Sequence, residues 1–216
     1  MKKLFIFFVM SIICLDVWSQ AKLKTQCKFG LKLGLVMQSI TGSPVKTKAR
    51  IAFMGGMWFL IKMSKSWTMQ SELSYIEKGT GGRYDSYHPK TGDYFLSLSY
   101  LEVPILFQYN KKNVYVEFGP GLAVLLNSGE YSVGGVLPYQ TVLYPFSKKD
   151  FFFNLGTGYV FNEKWRVGLR LTHSLLPVRK QVPGTSHSSY NRGIVIAVSR
   201  QINLKASRTK QSQDIK

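Results

Sequence analysis

Beyond about residue 27 the chain alternates apolar and polar side chains with a period of two. This marks extended strands that show one face to an apolar phase and the other to a polar one. Eight such segments follow one another. In 28–37, Phe29, Leu31, Leu33 and Leu35 share one face, and Lys28, Gly30, Lys32 and Gly34 the other. The second spans about 50–62. In the third, 67–78, Gln70, Glu72 and Ser74 oppose Met69, Leu73 and Tyr75. The fourth, about 95–109, sets Glu102 and Gln108 against Leu101, Val103, Ile105 and Phe107. The fifth, about 114–126, sets Glu117, Gly119, Gly121 and Ala123 against Val116, Phe118, Leu122 and Val124. The sixth, about 151–161, opposes Asn154, Gly156 and Gly158 to Phe151, Phe153, Leu155 and Tyr159. The seventh, 165–175, opposes Arg166, Gly168, Arg170 and Thr172 to Trp165, Val167, Leu169 and Leu171. The eighth, about 194–204, opposes Ala197, Ser199, Gln201 and Asn203 to Ile194, Ile196, Val198 and Ile202.

The connections alternate too. Three are short: Ser64-Lys65-Ser66, Asn110-Lys111-Lys112-Asn113 and Asn162-Glu163-Lys164. Four are long and polar, at about 38–49, 79–94, 127–150 and 176–193. Tight turns at one end and long loops at the other predict an all-β fold, an eight-stranded antiparallel transmembrane β-barrel. In lipid every backbone N–H and C=O must be paired within the protein, and a closed barrel does this without a sheet edge. Short turns then face the periplasm, long loops face outward, and an even strand count leaves both termini periplasmic. Trp67, Tyr94, Tyr109, Tyr115, Tyr159 and Trp165 fall near strand ends, where an aromatic girdle lies. A soluble lipocalin-like barrel shares the period, but its inner face would be the apolar one. Here glycines and mid-strand charges crowd the face opposite the apolar residues, as a narrow polar interior requires.

The first residues set the compartment. Met1-Lys2-Lys3 precedes the apolar stretch Leu4–Leu15, and Ser19-Gln20-Ala21 offers small residues for a signal peptidase cutting after Ala21. The reading is therefore a signal peptide at 1–21, a barrel domain at 22–204 and a polar tail at 205–216, in the outer membrane of a Gram-negative cell. Removing 1–21 leaves Cys27 as the single cysteine, so no internal disulfide forms. No CxxC, HExxH or multi-cysteine zinc spacing occurs. Neither a metal nor a cofactor is expected. The formal charge is +18, from 29 basic and 11 acidic residues. The basic residues are scattered in twos and threes at segment ends rather than striped along one helix, which argues against nucleic acid as a partner.

The stretches Ser71-Glu72-Leu73-Ser74-Tyr75 with Lys78-Gly79, Tyr100-Leu101-Glu102-Val103-Pro104-Ile105-Leu106 and Gly119-Pro120-Gly121-Leu122, with Arg170 further on, resemble the outer-membrane barrel family known as PorT. The resemblance spans nearly all of 28–204. It implies an eight-stranded outer-membrane barrel of Bacteroidetes type and brings in type IX secretion, the role tied to a founding member. The chain departs from the family at its end. A polar tail, Lys205–Lys216, follows where family members tend to stop on an aromatic residue.

The inward faces collect Glu72, Glu102, Glu117, Arg166 and Arg170, with Lys28 and Lys32 on the first strand. An eight-stranded barrel has room only for its own side chains. Buried charges must pair, so the expectation is a salt-bridge plug. Lys46, Lys48, Lys78, Arg83, Lys90, Lys148, Lys149, Arg179, Lys180 and Arg192 are placed in the loops. They form an exposed basic rim suited to the phosphates of lipopolysaccharide. The expected partners are outer-membrane lipid, lipopolysaccharide and an envelope or secretion-system protein.

His173 adjoins Ser174, but strand neighbours point to opposite faces. His187 and Ser189 fall in a loop, as does His88. The expectation is a non-enzymatic adhesion, envelope or secretion-accessory barrel. A lipid A-modifying enzyme is the alternative, and a small-solute channel a third, disfavoured by strand number. Mass spectrometry of the outer-membrane form should find a chain beginning near Lys22. Retention of Met1 on that form would count against the signal peptide.

Overall fold

Strand parity decides which way each side chain points, and here it turns the apolar face outward. The computed structural model describes residues 27–41, 46–83, 93–132, 145–162, 164–179 and 188–202. Its strands are β1 Cys27–Thr41, β2 Lys46–Lys62, β3 Trp67–Arg83, β4 Asp93–Lys111, β5 Val114–Ser132, β6 Lys149–Val160, β7 Trp165–Ser174 and β8 Tyr190–Ile202. Each pairs antiparallel with the next. The last pairs with the first from Phe29↔Ile202 to Thr41↔Tyr190, which closes the barrel. Leu33, Phe53 and Leu122 are 71%, 72% and 61% exposed, while Lys32, Glu72, Glu117 and Arg170 are buried. A soluble barrel would show the reverse. Greasy outside and charged inside is the arrangement a lipid surround selects.

The ladders run past the alternating segments. β1 continues to Thr41, β2 begins at Lys46, β3 reaches Arg83, β4 begins at Asp93, β5 reaches Ser132 and β8 begins at Tyr190. The loops expected at 38–49, 79–94, 127–150 and 176–193 are therefore shorter. The physical reason is that apolar alternation reports lipid contact, whereas the ladder needs only backbone hydrogen bonds and persists above the membrane. Asp150 and Lys78, read as loop residues, are strand residues facing inward.

Trp67, Tyr109, Tyr159 and Trp165 stand on the outer face, the first two packed edge-to-face at 5.3 Å. Tyr115 is a correction. It shares the parity of Glu117 and is buried in the lumen, not on the girdle. The side chain of Tyr94 lies outside the described residues, as do the signal segment 1–21, Asn203, the strand end near Leu204 and the tail 205–216.

Inside, large side chains face glycines across the ladder. Trp58 pairs with Gly30, Tyr115 with Gly158, Phe152 with Gly121 and Gln38 with Gly193. A Cβ at Gly158 or Gly121 would overlap the Tyr115 or Phe152 ring. The glycine leaves room for the ring to lie across the neighbouring strand, which is how bulky residues fit so narrow a lumen. One irregularity matters for the site. Tyr100 pairs with Leu125 but Ser99 with Asn127, so Leu126 is an extra residue on β5. Beyond it the inward positions switch from odd to even, and Glu130 turns into the barrel, its side chain 2% exposed.

Gly158→Leu should therefore disrupt folding, because overpacking costs roughly 1–3 kcal/mol even before the Tyr115 ring is displaced. Gly55→Leu, on the opposite parity, should fold. Heat-shift gels on refolded protein compare the two, and equal yields would contradict the ring-over-glycine packing.

Candidate functional site

Glu72 anchors the lower lumen, the half nearer the tight turns. Lys32 Nζ donates to both of its oxygens at 2.9 and 3.0 Å, and Gln70 Nε2 to Oε1 at 2.6 Å. From β7, Arg170 clamps the same carboxylate with both terminal nitrogens, Nη1 to Oε2 at 2.9 Å and Nη2 to Oε1 at 2.8 Å. Arg170 Nε turns instead to Glu117 Oε1 at 2.7 Å. Glu117 Oε2 accepts from Gln108 Nε2 at 2.9 Å. The planar guanidinium grips one carboxylate with two parallel N–H groups and still has Nε for a second, a fork that an ammonium lacks. Arg166 donates to the side-chain carbonyls of Gln70 and Gln108, each at 2.9 Å. Its guanidinium lies 4.5 Å from the Tyr115 ring centroid and 5.4 Å from that of Trp58. Cation–π contact and neutral amides take the place of a carboxylate there.

A second group lies higher. Lys78 Nζ sits 2.6 Å from Glu102 Oε1 and 3.4 Å from Asp150 Oδ2, within 5.0 Å of the Tyr100 and 4.9 Å of the Phe152 ring centroids. Ser174 Oγ donates to Asp150 Oδ2 at 2.6 Å. Around it Val36, Met54, Ile76, Leu98 and Val195 form an apolar collar. At the top, segments of two long connections fold over the mouth. Phe146 bridges to Arg179, and Ser147 N donates to the Val178 carbonyl at 2.7 Å. Arg179 Nη2 donates to Glu130 Oε2 at 3.1 Å and lies 3.9 Å above the Phe146 ring.

Of the residues assigned to one lumen network, the structure joins Glu72, Glu117 and Arg170. Arg166 is tied in through two glutamines. Glu102 is separate: on β4, Pro104 and Leu106 intervene between it and Gln108, and its ion pair is with Lys78. Two residues assigned to the rim are inside. Arg179 is buried against Glu130, because the β5 bulge turns that carboxylate inward. Lys78 is 1% exposed, because β3 continues past it with unbroken parity.

Lys48, Lys148, Lys149 and Arg192 are exposed at the long-connection end. The side chains of Lys46 and Arg83, and all of Lys90, Lys180, His88 and His187, lie outside the described residues. His173 points outward and Ser174 inward, so they make no dyad. Lys78, Asp150 and Glu130 were missed as lumen residues. Even spacing from Glu72 is a signal that points to Lys78, whereas only the bulge points to Glu130. A void of about 10 Å³ remains beside the lower network, room for one water at most.

Residues 18–179 match the family described as outer membrane protein beta-barrel domain. The chain belongs to this family. Membership supports location in the outer membrane. Among solved structures, neisserial surface protein A is similar at 10% identity, covering 82% of this chain and 99% of that one, with a TM-score of 0.51. Ail, the attachment invasion locus protein of Yersinia pestis, is similar at 10% identity over 82% of this chain and 99% of its own, TM-score 0.48. The outer membrane enzyme PagL is similar at 12% identity over 78% and 97%, TM-score 0.38. At such identities the likeness is one of fold alone. No curated protein matches the sequence.

Removing one partner of a buried pair strands the other, at a cost of about 3–5 kcal/mol. Arg170→Ala should lower the unfolding midpoint in detergent far more than Lys148→Ala on the exposed rim. Arg170→Lys should fall between them, since an ammonium cannot clamp Glu72 and reach Glu117 together. Equal midpoints for Arg170→Ala and Lys148→Ala would refute the pairing.

Proposed function

We propose that this protein is a non-enzymatic outer-membrane barrel that acts through its rim and long connections as an adhesion, envelope or secretion-accessory protein. The observation that carries this reading is the filled lumen. Ion pairs, glutamines and rings occupy it from the Arg166 layer to the Arg179–Phe146 cap. A barrel filled in this way has little to conduct and presents its chemistry at its ends. Function commonly sits on connections held by a rigid scaffold.

In this reading the long connections are extracellular and both termini periplasmic. Lys48, Lys148 and Lys149 then stand at the level of lipopolysaccharide phosphates, and the sequence adds Lys46, Arg83, Lys90 and Lys180 as further candidates for that contact. The PorT-like motifs add type IX secretion to the roles that need testing. Outward His173 and inward Ser174 favour a non-catalytic barrel over a lipid A-modifying enzyme.

Shortening 84–92 or 133–144 should abolish the cellular phenotype and leave a heat-modifiable barrel. If the role is secretion, gene deletion should strand cargo in the periplasm. Lipid A whose mass changes with His173→Ala would overturn the non-catalytic reading. Steady conductance in planar bilayers would overturn the plug.

A further inference from the structure

The lipid-facing wall formed by β6, β7, β8 and β1 is not uniformly greasy. The ladder registers set two rows across it. The lower row runs Leu155↔Leu171↔Ile194↔Met37, and the row two residues above runs Phe153↔His173↔Arg192↔Ser39. Between and beside them lies an open groove of about 580 Å³. Its floor is apolar, with Leu155 and Leu171 52% and 50% exposed. Its upper edge carries Arg192 and His173, both exposed, with the His173 ring stacked 6.4 Å from that of Tyr190. No carboxylate lines it among the described residues.

The depth is informative. Below the floor the same wall stays apolar through Leu169, Ile196 and Leu35, down to Trp165, where Arg200 lies 5.3 Å from the indole centroid. From Arg192 to Arg200 along β8 is about 26 Å at the usual strand rise, or about 20 Å along the membrane normal at the usual strand tilt. Both side chains are long enough to extend away from the hydrocarbon, so the two outward arginines bracket the apolar band, with Arg192 on the long-connection side. An arginine beside a histidine, at the boundary and above a groove wide enough for a chain, complements an anionic head with an acyl tail.

We propose that this wall binds lipid A, with Arg192 and His173 on a phosphate and an acyl chain laid along Leu171, Ile194 and Met37. The assignment to the outer leaflet rests on the orientation proposed above. The site uses no loop residue and does not depend on what the long connections bind.

The test uses full-length protein purified from outer membranes, analysed by native mass spectrometry and by titration with lipid A in detergent. Wild type should retain lipid A, and removing the phosphates from the lipid should weaken binding. Arg192→Ala should weaken it about tenfold or more, as loss of a charge-assisted contact to an anion does. Ile194→Trp, which fills the floor, should also weaken it, and Lys62→Ala on the tight-turn rim should not. A heat-shift gel confirms that each variant folds. Equal binding by wild type and Arg192→Ala, or of phosphorylated and dephosphorylated lipid, overturns the proposal. Retention of phospholipid in place of lipid A overturns it as well. Labelling a tag within 84–92 on intact cells then tells whether the orientation or the site has failed, because an inward-facing tag puts the error in the orientation.

Discussion

Closure is the constraint from which the other features follow. Once β8 returns to pair with β1, all eight strands have two neighbours and the circumference is set. Eight strands leave an interior about as wide as its own side chains. Every inward residue must then fit its neighbours and look for polar partners within the lumen, where, among the described residues, the Gln38 amide finds none. Trp58, Tyr115 and Phe152 fit because each faces a glycine across the ladder. The charges fit because they come in compensating sets. Lys32 and Arg170 gather round Glu72 and Glu117, with Arg166 joined to them through Gln70 and Gln108, Lys78 lies between Glu102 and Asp150, and Arg179 on Glu130.

That pairing has a consequence for the outside. Among the described side chains, every carboxylate except that of Glu77 is inside, and Glu77 lies 4.0 Å from Arg50. Among the described side chains the lumen is close to neutral, so their excess of basic groups falls outside it, mostly on the two rims. There it stands near the anionic phosphates of the headgroups. The interior charges have another use. A slip of one residue in β3 or β7 would carry Glu72 or Arg170 into lipid, so the network penalises wrong registers of those strands strongly. Buried ion pairs add little net stability over an apolar core, and register is the property they defend here.

The strands within the membrane were legible because lipid imposes a one-bit rule on each position. Glu72, Glu117 and Arg170 could be placed in the lumen by parity alone. Parity said nothing about height, so Glu102 and Arg166 were grouped with them although different partners hold each. Above the lipid the rule lapses. β3 passes through Lys78 into Gly79, Gly81 and Gly82 without an apolar outer face to mark it, and the lysine reads as loop. Glu130 was hidden by a bulge that no local composition announces, and Arg179 was hidden with it, since its burial depends on that carboxylate.

The motifs singled out in the sequence take on a physical meaning in this light. In Tyr100-Leu101-Glu102-Val103-Pro104 the inward residues are Tyr100, Glu102 and Pro104, all buried. In Ser71-Glu72-Leu73-Ser74-Tyr75 they are Glu72 and Ser74. Gly121 in Gly119-Pro120-Gly121-Leu122 is the seat of the Phe152 ring. The inward residues of these motifs are thus those that fill a lumen of fixed width. They identify how such a barrel packs, and a packing motif says little about what the barrel contacts. On the function proposed above, the residues that matter lie elsewhere, on the rims and on the outer wall, where neither closure nor charge balance dictates a choice. Arg192 is on that wall, and nothing in the lumen requires a cation there.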